Sequence, residues 1–178
     1  MLFTGTFEHA IDAKQRLAIP SEVRDSIRPE VDGQSMYAVI GQGLPPPPPE
    51  VGQGVQHGTG GGTTSGTTSG GSKALCLYTE QGFKQRADEL DHSELHPDEV
   101  LTYERMMFPL ARKVEIDKQG RVRLPENLLK LAELDKDVVL IGVKDHLEIH
   151  DRNRWNAYLT QMLTQRPELL RNPRQLMK

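Results

Sequence analysis

Asp117-Lys118-Gln119-Gly120-Arg121-Val122-Arg123-Leu124-Pro125 returns, nearly intact, as Asp12-Ala13-Lys14-Gln15-Arg16-Leu17-Ala18-Ile19-Pro20. In each copy an acid opens a tight turn and Arg follows four positions later. Aliphatics at every second position (Leu17 and Ile19; Val122 and Leu124) then lead to Pro. Period two predicts a half-buried strand. Arg121 and Arg123 share the face opposite Val122 and Leu124, so burying the aliphatics turns both guanidinium groups outward. Pro20 and Pro125 suit the first turn of a helix, where a missing N–H costs nothing.

Working outward, Phe7 to Asp12 reads as a strand entering the first turn, and Arg16 to Ile19 as its partner. A helix is predicted from Pro20 to Ile27, with Val23 and Ile27 on one face and Pro29 as its stop. Met36 to Ile40 is a third strand ended by Gly41, and Leu75 to Tyr78 a fourth. Glu80 to Leu90 forms a helix with Phe83, Ala87 and Leu90 along one side. Asp98 to Phe108 is a connecting helix stopped by Pro109. His146 to His150 is a strand, Asp151 an N-cap, and Arg152 to Leu163 a helix carrying Trp155, Leu159 and Met162.

Between the third and fourth strands the composition changes abruptly. Pro45 to Pro49 and the Gly/Thr/Ser run from Gly58 to Ser72 hold almost nothing apolar. Residues 42–73 are therefore expected to be a disordered insertion. Gly70-Gly71-Ser72-Lys73 fails as a phosphate loop, which needs Gly-Lys-Ser/Thr.

The elements repeat. Asp12, Arg16 and Pro20 lie 105 positions before Asp117, Arg121 and Pro125, and Phe83 lies 72 before Trp155. The offset falls at the low-complexity tract, which the second half replaces with Gly142 to Asp145. The tract thus reads as a hairpin-loop insertion within the first half. The boundaries expected are a first half at 1–91, a connecting helix at 92–110, a second half at 111–165 and a loose tail at 166–178. About sixty folded residues bury too little surface to stand alone, so the halves are expected to share a core.

The composition, 36% hydrophobic and 5% aromatic in 178 residues, is that of a globular chain with a modest core, and it contains no apolar run that predicts a membrane span. The start lacks the pattern of a signal peptide, and with one cysteine, Cys76, a reducing cytosol is expected. The net charge of −3 excludes a globally basic coat. Yet Arg112 to Pro125 holds five cations against two acids, a local basic patch. An enzyme is not expected: the histidines are scattered, and Cys76 sits in an apolar strand, where a thiol is usually inert. His92 and His96 have ligand spacing if helical, but Pro97 interrupts them and no third ligand is evident, so neither metal nor cofactor is expected. Trp155 and Phe83 are expected in the core or at subunit contacts.

The paired Asp-x-x-x-Arg turns ending in Ile/Leu-Pro, with Leu134 to Gly142 and Leu147 to Trp155, resemble the MraZ family of bacterial transcriptional regulators. The resemblance covers both halves but neither the insertion nor the extreme tail. It implies an α+β, mainly β fold of two SpoVT/AbrB-like swapped-hairpin halves sharing one pseudo-two-fold β-barrel, with flanking helices. It also implies ring-shaped homo-oligomers and repression of the operon for cell division and cell-wall synthesis. Gln15 stands where the family has Gly before the Arg. Gly adopts positive φ at no cost, so Gln15 either strains this turn or marks a turn of another shape.

Two functions stand side by side. The first is a cytoplasmic, nucleoid-associated regulator that binds repeated promoter sites in double-stranded DNA. Lys14, Arg16, Lys118, Arg121 and Arg123 would meet phosphates or guanines, as in β-ribbon readers. The second is an interaction or scaffold module using the Pro-rich tract as a ligand for aromatic grooves.

Overall fold

The structure, a computed structural model, describes residues 1–45, 72–165 and 167. The expected tail, apart from residue 167, and most of the expected insertion lie outside the described residues. Strands β1 (Thr6–Ala10) and β2 (Arg16–Ala18) flank the first Asp turn, and α1 (Ser21–Ser26) follows Pro20. Pro29 does not merely end that helix. It opens a second one, α2 (Pro29–Asp32), whose N-terminus Asp32 caps by accepting from the Arg28 N–H (2.8 Å).

The chain then forms β3 (Ser35–Gln42), β4 (Lys73–Thr79), α3 (Glu80–Asp91) and α4 (Pro97–Met107). Gly41 does not stop β3: the ladder with β4 continues to the pair Gln42 and Lys73. The second half supplies β5 (Arg112–Glu115), β6 (Arg121–Arg123), α5 (Glu126–Leu131), β7 (Asp137–Val143), β8 (His146–Asp151) and α6 (Arg152–Gln165). Asp151 caps α6 by accepting from the Arg154 N–H (2.9 Å).

Six strands form one antiparallel sheet in the order β1-β7-β8-β4-β3-β5, and β2 and β6 form a separate ribbon. The class is mixed α+β, mainly β, but the expected closed barrel is corrected. Strands β1 and β5 end the sheet as edges, because β1 pairs only with β7 and β5 only with β3, while β2 and β6 pair with each other in the separate ribbon. Each half nevertheless lends a strand to the other, β1 pairing with β7 and β5 with β3.

The pairing registers carry a two-fold relation. Leu17 faces Val122, its mate 105 positions on; Cys76 faces Glu148, its mate 72 positions on. His9 pairs with Val138, while Val114, 105 after His9, pairs with Met36. Leu17, Val122, Leu75, Leu77, Leu147 and Ile149 are fully buried in one cluster spanning both halves. A smaller cluster on the other sheet face packs Val39, Cys76 and Tyr78 against Phe83 of α3 and Met107 of α4. Phe83 stacks on Tyr37 with centroids 4.4 Å apart. Trp155 is only half-buried and stacks on His150.

Candidate nucleic-acid interface

The two Asp turns are built alike, bond for bond. Asp12 Oδ1 accepts from the N–H groups of Lys14 (2.8 Å) and Arg16 (2.9 Å); Asp117 Oδ1 accepts from Gln119 (2.8 Å) and Arg121 (2.9 Å). The Gln15 N–H donates to Asp12 O and the Gly120 N–H to Asp117 O, both at 2.8 Å. Gln15 has φ +61° and Gly120 φ +74°. Of the two alternatives for Gln15, the structure shows strain within the same turn, since a residue with a Cβ rarely adopts this region. The turns also clasp each other: the Ile19 N–H donates to Gly120 O and the Leu124 N–H to Gln15 O, both at 2.8 Å.

Arg16 and Arg121 are less free than alternation alone implies. Arg16 Nε donates to Asp12 Oδ2 (2.7 Å), and Arg121 Nε and Nη2 donate to Asp117 Oδ2 (3.1 and 3.0 Å). Hydrogen bonds from the Arg16 side chain and backbone lower the Asp12 pKa to about 2. The backbone N–H of Arg121, then its side chain, likewise holds the Asp117 carboxyl below its usual range, outweighing slight burial. Each acid therefore fixes its arginine as well as the turn, and among the described residues nothing accepts from either Nη1. Lys14, Lys118 and Arg123 are exposed, and Arg123 has no ion-pair partner among the described residues.

In the ribbon Arg16 lies directly opposite Arg123, and Ala18 opposite Arg121. Three guanidinium groups thus share its outer face, while Leu17 and Val122 fill the inner one. Beside it opens a groove of about 860 Å³ lined by Arg16, Arg112, Lys113, Arg121 and Arg123 together with Glu115, Asp117 and Glu126. Lys113 is tied to Glu80 (3.1 Å), and Arg112 donates to the carbonyls of Pro109 and Ala111. The two-fold does not extend to charge. At the repeat positions of Arg112 and Lys113 the first half has Phe7 and Glu8, so the basic groove lies on one side only.

A second polar cluster escaped the sequence reading. Cys76, His146 and Glu148 bring donor atoms within 4.8 Å of one another. His146 Nδ1 lies 3.0 Å from Asp145 Oδ1 and its Nε2 3.3 Å from Glu148 Oε1; His150 Nε2 lies 2.8 Å from Glu148 Oε2. Burial, then the Glu148 charge, pushes the Cys76 thiol up to about 12. Burial would raise Glu148, but hydrogen bonds from His146 and His150 prevail and lower it to about 2. Burial would lower His146, and its carboxylate partners prevail to raise it. The available signal was strand alternation, which sets 146, 148 and 150 on one face, with Cys76 at the repeat position of Glu148. His92 and His96 do not converge: one meets Asp88 O at the end of α3, the other caps α4 by accepting from the Asp98 N–H.

Fold and turns together define a duplicated, mainly antiparallel α+β protein whose halves are interleaved around two arginine-bearing Asp turns. Residues 107–168 match the family model described as "MraZ protein, putative antitoxin-like". The chain is 27% identical over 157 residues to the "Transcriptional regulator MraZ" of Clostridium tetani (strain Massachusetts / E88), covering 88% of this chain and 87% of that protein. It is equally similar, 27% over 157 residues, to the protein of the same name from Acetivibrio thermocellus, covering 88% and 86%. The chain is thus similar to proteins of the MraZ family, over residues 107–168 by the family model and over most of its length by these two relatives.

Proposed function

We propose that this protein is a DNA-binding transcriptional regulator and not an enzyme, with Lys14, Arg16, Lys118, Arg121 and Arg123 facing the DNA. One observation carries the reading: Arg16 and Arg123 sit directly opposite each other on the ribbon's outer face. Like charges in register destabilise a strand pair, and Asp12 offsets only Arg16, so exposed Arg123 is left for an anionic partner across the ribbon face. Asp12 and Asp117 hold two of the three guanidinium groups in place beforehand, which reduces the ordering cost of binding. The names of the relatives support the regulatory role.

The finer reading is a repressor of its own division and cell-wall gene cluster, cytoplasmic and nucleoid-associated. It binds repeated promoter sites as a ring-shaped homo-oligomer of chains built from swapped-hairpin halves. Exposed Leu101, Met106 and Phe108 near α4 and Leu159 and Leu163 on α6 favour subunit contacts. The test is fluorescence anisotropy with the promoter DNA upstream of its own gene and with shuffled DNA, at about 50 and 200 mM salt. The reading predicts tighter binding to the promoter and a steep loss with salt. Equal weak binding to both DNAs would overturn it.

A further inference from the structure

The His146 ring faces a carboxylate from each of its nitrogens, Asp145 at Nδ1 and Glu148 at Nε2. A neutral imidazole has one N–H, so it can donate to only one of them. If Nδ1–H serves Asp145, the Nε2 lone pair and a Glu148 lone pair point at each other, and something positive must lie between them. A second ring proton is one solution. A cation shared by Nε2 and the Glu148 oxygen is the other, and the surroundings favour it. The third group within reach is the Cys76 sulfur, a soft donor that a shared cation would engage and a ring proton would not.

We propose that Cys76, His146 and Glu148 form a binding site for a thiophilic divalent cation of the zinc class, at the seam between the two halves of the chain. Sulfur, imidazole nitrogen and a single carboxylate suit zinc or cobalt and disfavour magnesium and calcium, which seek oxygen alone. A tetrahedral zinc with these donors sets them about 3.3 to 3.7 Å apart. From within 4.8 Å, a movement of about one ångström closes the set.

The supporting shell is present. Asp145 on Nδ1 fixes the tautomer that presents Nε2, the carboxylate–histidine arrangement of zinc sites. His150 occupies the other oxygen of Glu148 and aims the first. Tyr78 stacks on the His146 ring with centroids 4.7 Å apart, holding its plane. Gly41 leaves room for the sulfur, since a Cβ there would lie 2.5 Å from Sγ. His146 and Glu148 keep 14% and 19% of their side chains exposed, which provides an entry path and an open fourth position for water.

On binding, the metal–sulfur bond forms as the S–H bond breaks, and the thiol proton leaves to the buffer; any second proton on His146 leaves with it. Because Cys76 lies on β4 of the first half and the other two donors on β8 of the second, the ion clips the halves together.

The test is titration of chelator-treated, reduced full-length protein with cobalt chloride at pH 7.5, followed by absorbance. The proposal predicts a thiolate-to-cobalt charge-transfer band saturating at one ion per chain, reversed by zinc. Zinc alone should raise the melting temperature in a concentration-dependent way. Cys76→Ser removes the band, His146→Gln removes it or weakens zinc binding at least about tenfold, and Asp145→Asn weakens zinc binding about 10- to 100-fold with the band retained. A variant lacking both His92 and His96 keeps the band. Absence of the band in folded wild-type protein, or a band that survives His146→Gln at full affinity, overturns the proposal; the His146→Gln arm remains decisive should Cys76→Ser fail to fold. Neither result bears on DNA binding, which is read separately by anisotropy.

Discussion

Replacing Gly120 by alanine would test the turn geometry on which the arginine placement depends. At φ +74° a Cβ costs about 1 to 2 kcal/mol. Alanine's stiffer unfolded chain returns about 0.4 to 1 kcal/mol of that. The new Cβ would lie 2.7 Å from Arg24 Cζ and Nε, so Arg24 must swing away. Its Nε–H then gives up Ile19 O (3.1 Å), a bond contributing about 0.5 to 1.5 kcal/mol. The sum is a loss of about 2 kcal/mol, or a melting temperature lower by roughly 4 to 8 °C for a chain of this size. Urea unfolding of the wild type, Gly120→Ala, Arg24→Ala and the double variant separates the contributions. In the Arg24→Ala background the cost of Gly120→Ala should fall by about 1 kcal/mol, to the dihedral contribution alone. The converse change, Gln15→Gly, relieves the same strain at φ +61° and should be neutral or stabilising by up to about 1 kcal/mol. A neutral Gly120→Ala, or an unchanged cost without Arg24, would refute the reasoning.

Leu17→Ala empties a fully buried site on the two-fold between the halves, and should cost about 2 to 5 kcal/mol by urea unfolding in a single transition. The Asp12 carboxyl is depressed to about 2 in the folded chain, so its contribution is complete above its ordinary range and disappears as pH falls through that value. The melting-temperature gap between wild type and Asp12→Asn should therefore be constant from about pH 5 to 7 and close towards about pH 2. Cys76, buried with its thiol raised to about 12, should resist a thiol-labelling reagent at pH 8 until denaturant is added.

Much of this architecture is written in local pattern. Alternation at Arg121 to Leu124 places the inner and outer faces correctly, and the 105-residue offset anticipates the two-fold pairing of Leu17 with Val122. What the pattern does not encode is contact across the chain. Alternation assigns Arg16 and Arg121 outward but cannot show that Asp12 and Asp117 return to hold them, because that bond depends on turn geometry. Gln15 was ambiguous for the same reason: its positive φ belongs to a turn that is clasped by the Leu124 N–H from the other half. The helix at Pro29 was missed because proline both ends and begins helices, and Asp32 decides between them through a cap. Cys76 looked isolated because His146 and Glu148 reach it only through the β4–β8 pairing, 70 and 72 residues away.

The most direct test of the ribbon as a DNA surface is Arg123→Thr, measured for stability and for promoter binding across a salt series. Removing one of two opposed arginines should leave the fold unchanged or slightly more stable. It should weaken DNA binding and, for a lost phosphate contact, make the salt slope shallower by about 0.9 per chain engaged. Unchanged affinity and slope in a folded Arg123→Thr protein would contradict the account.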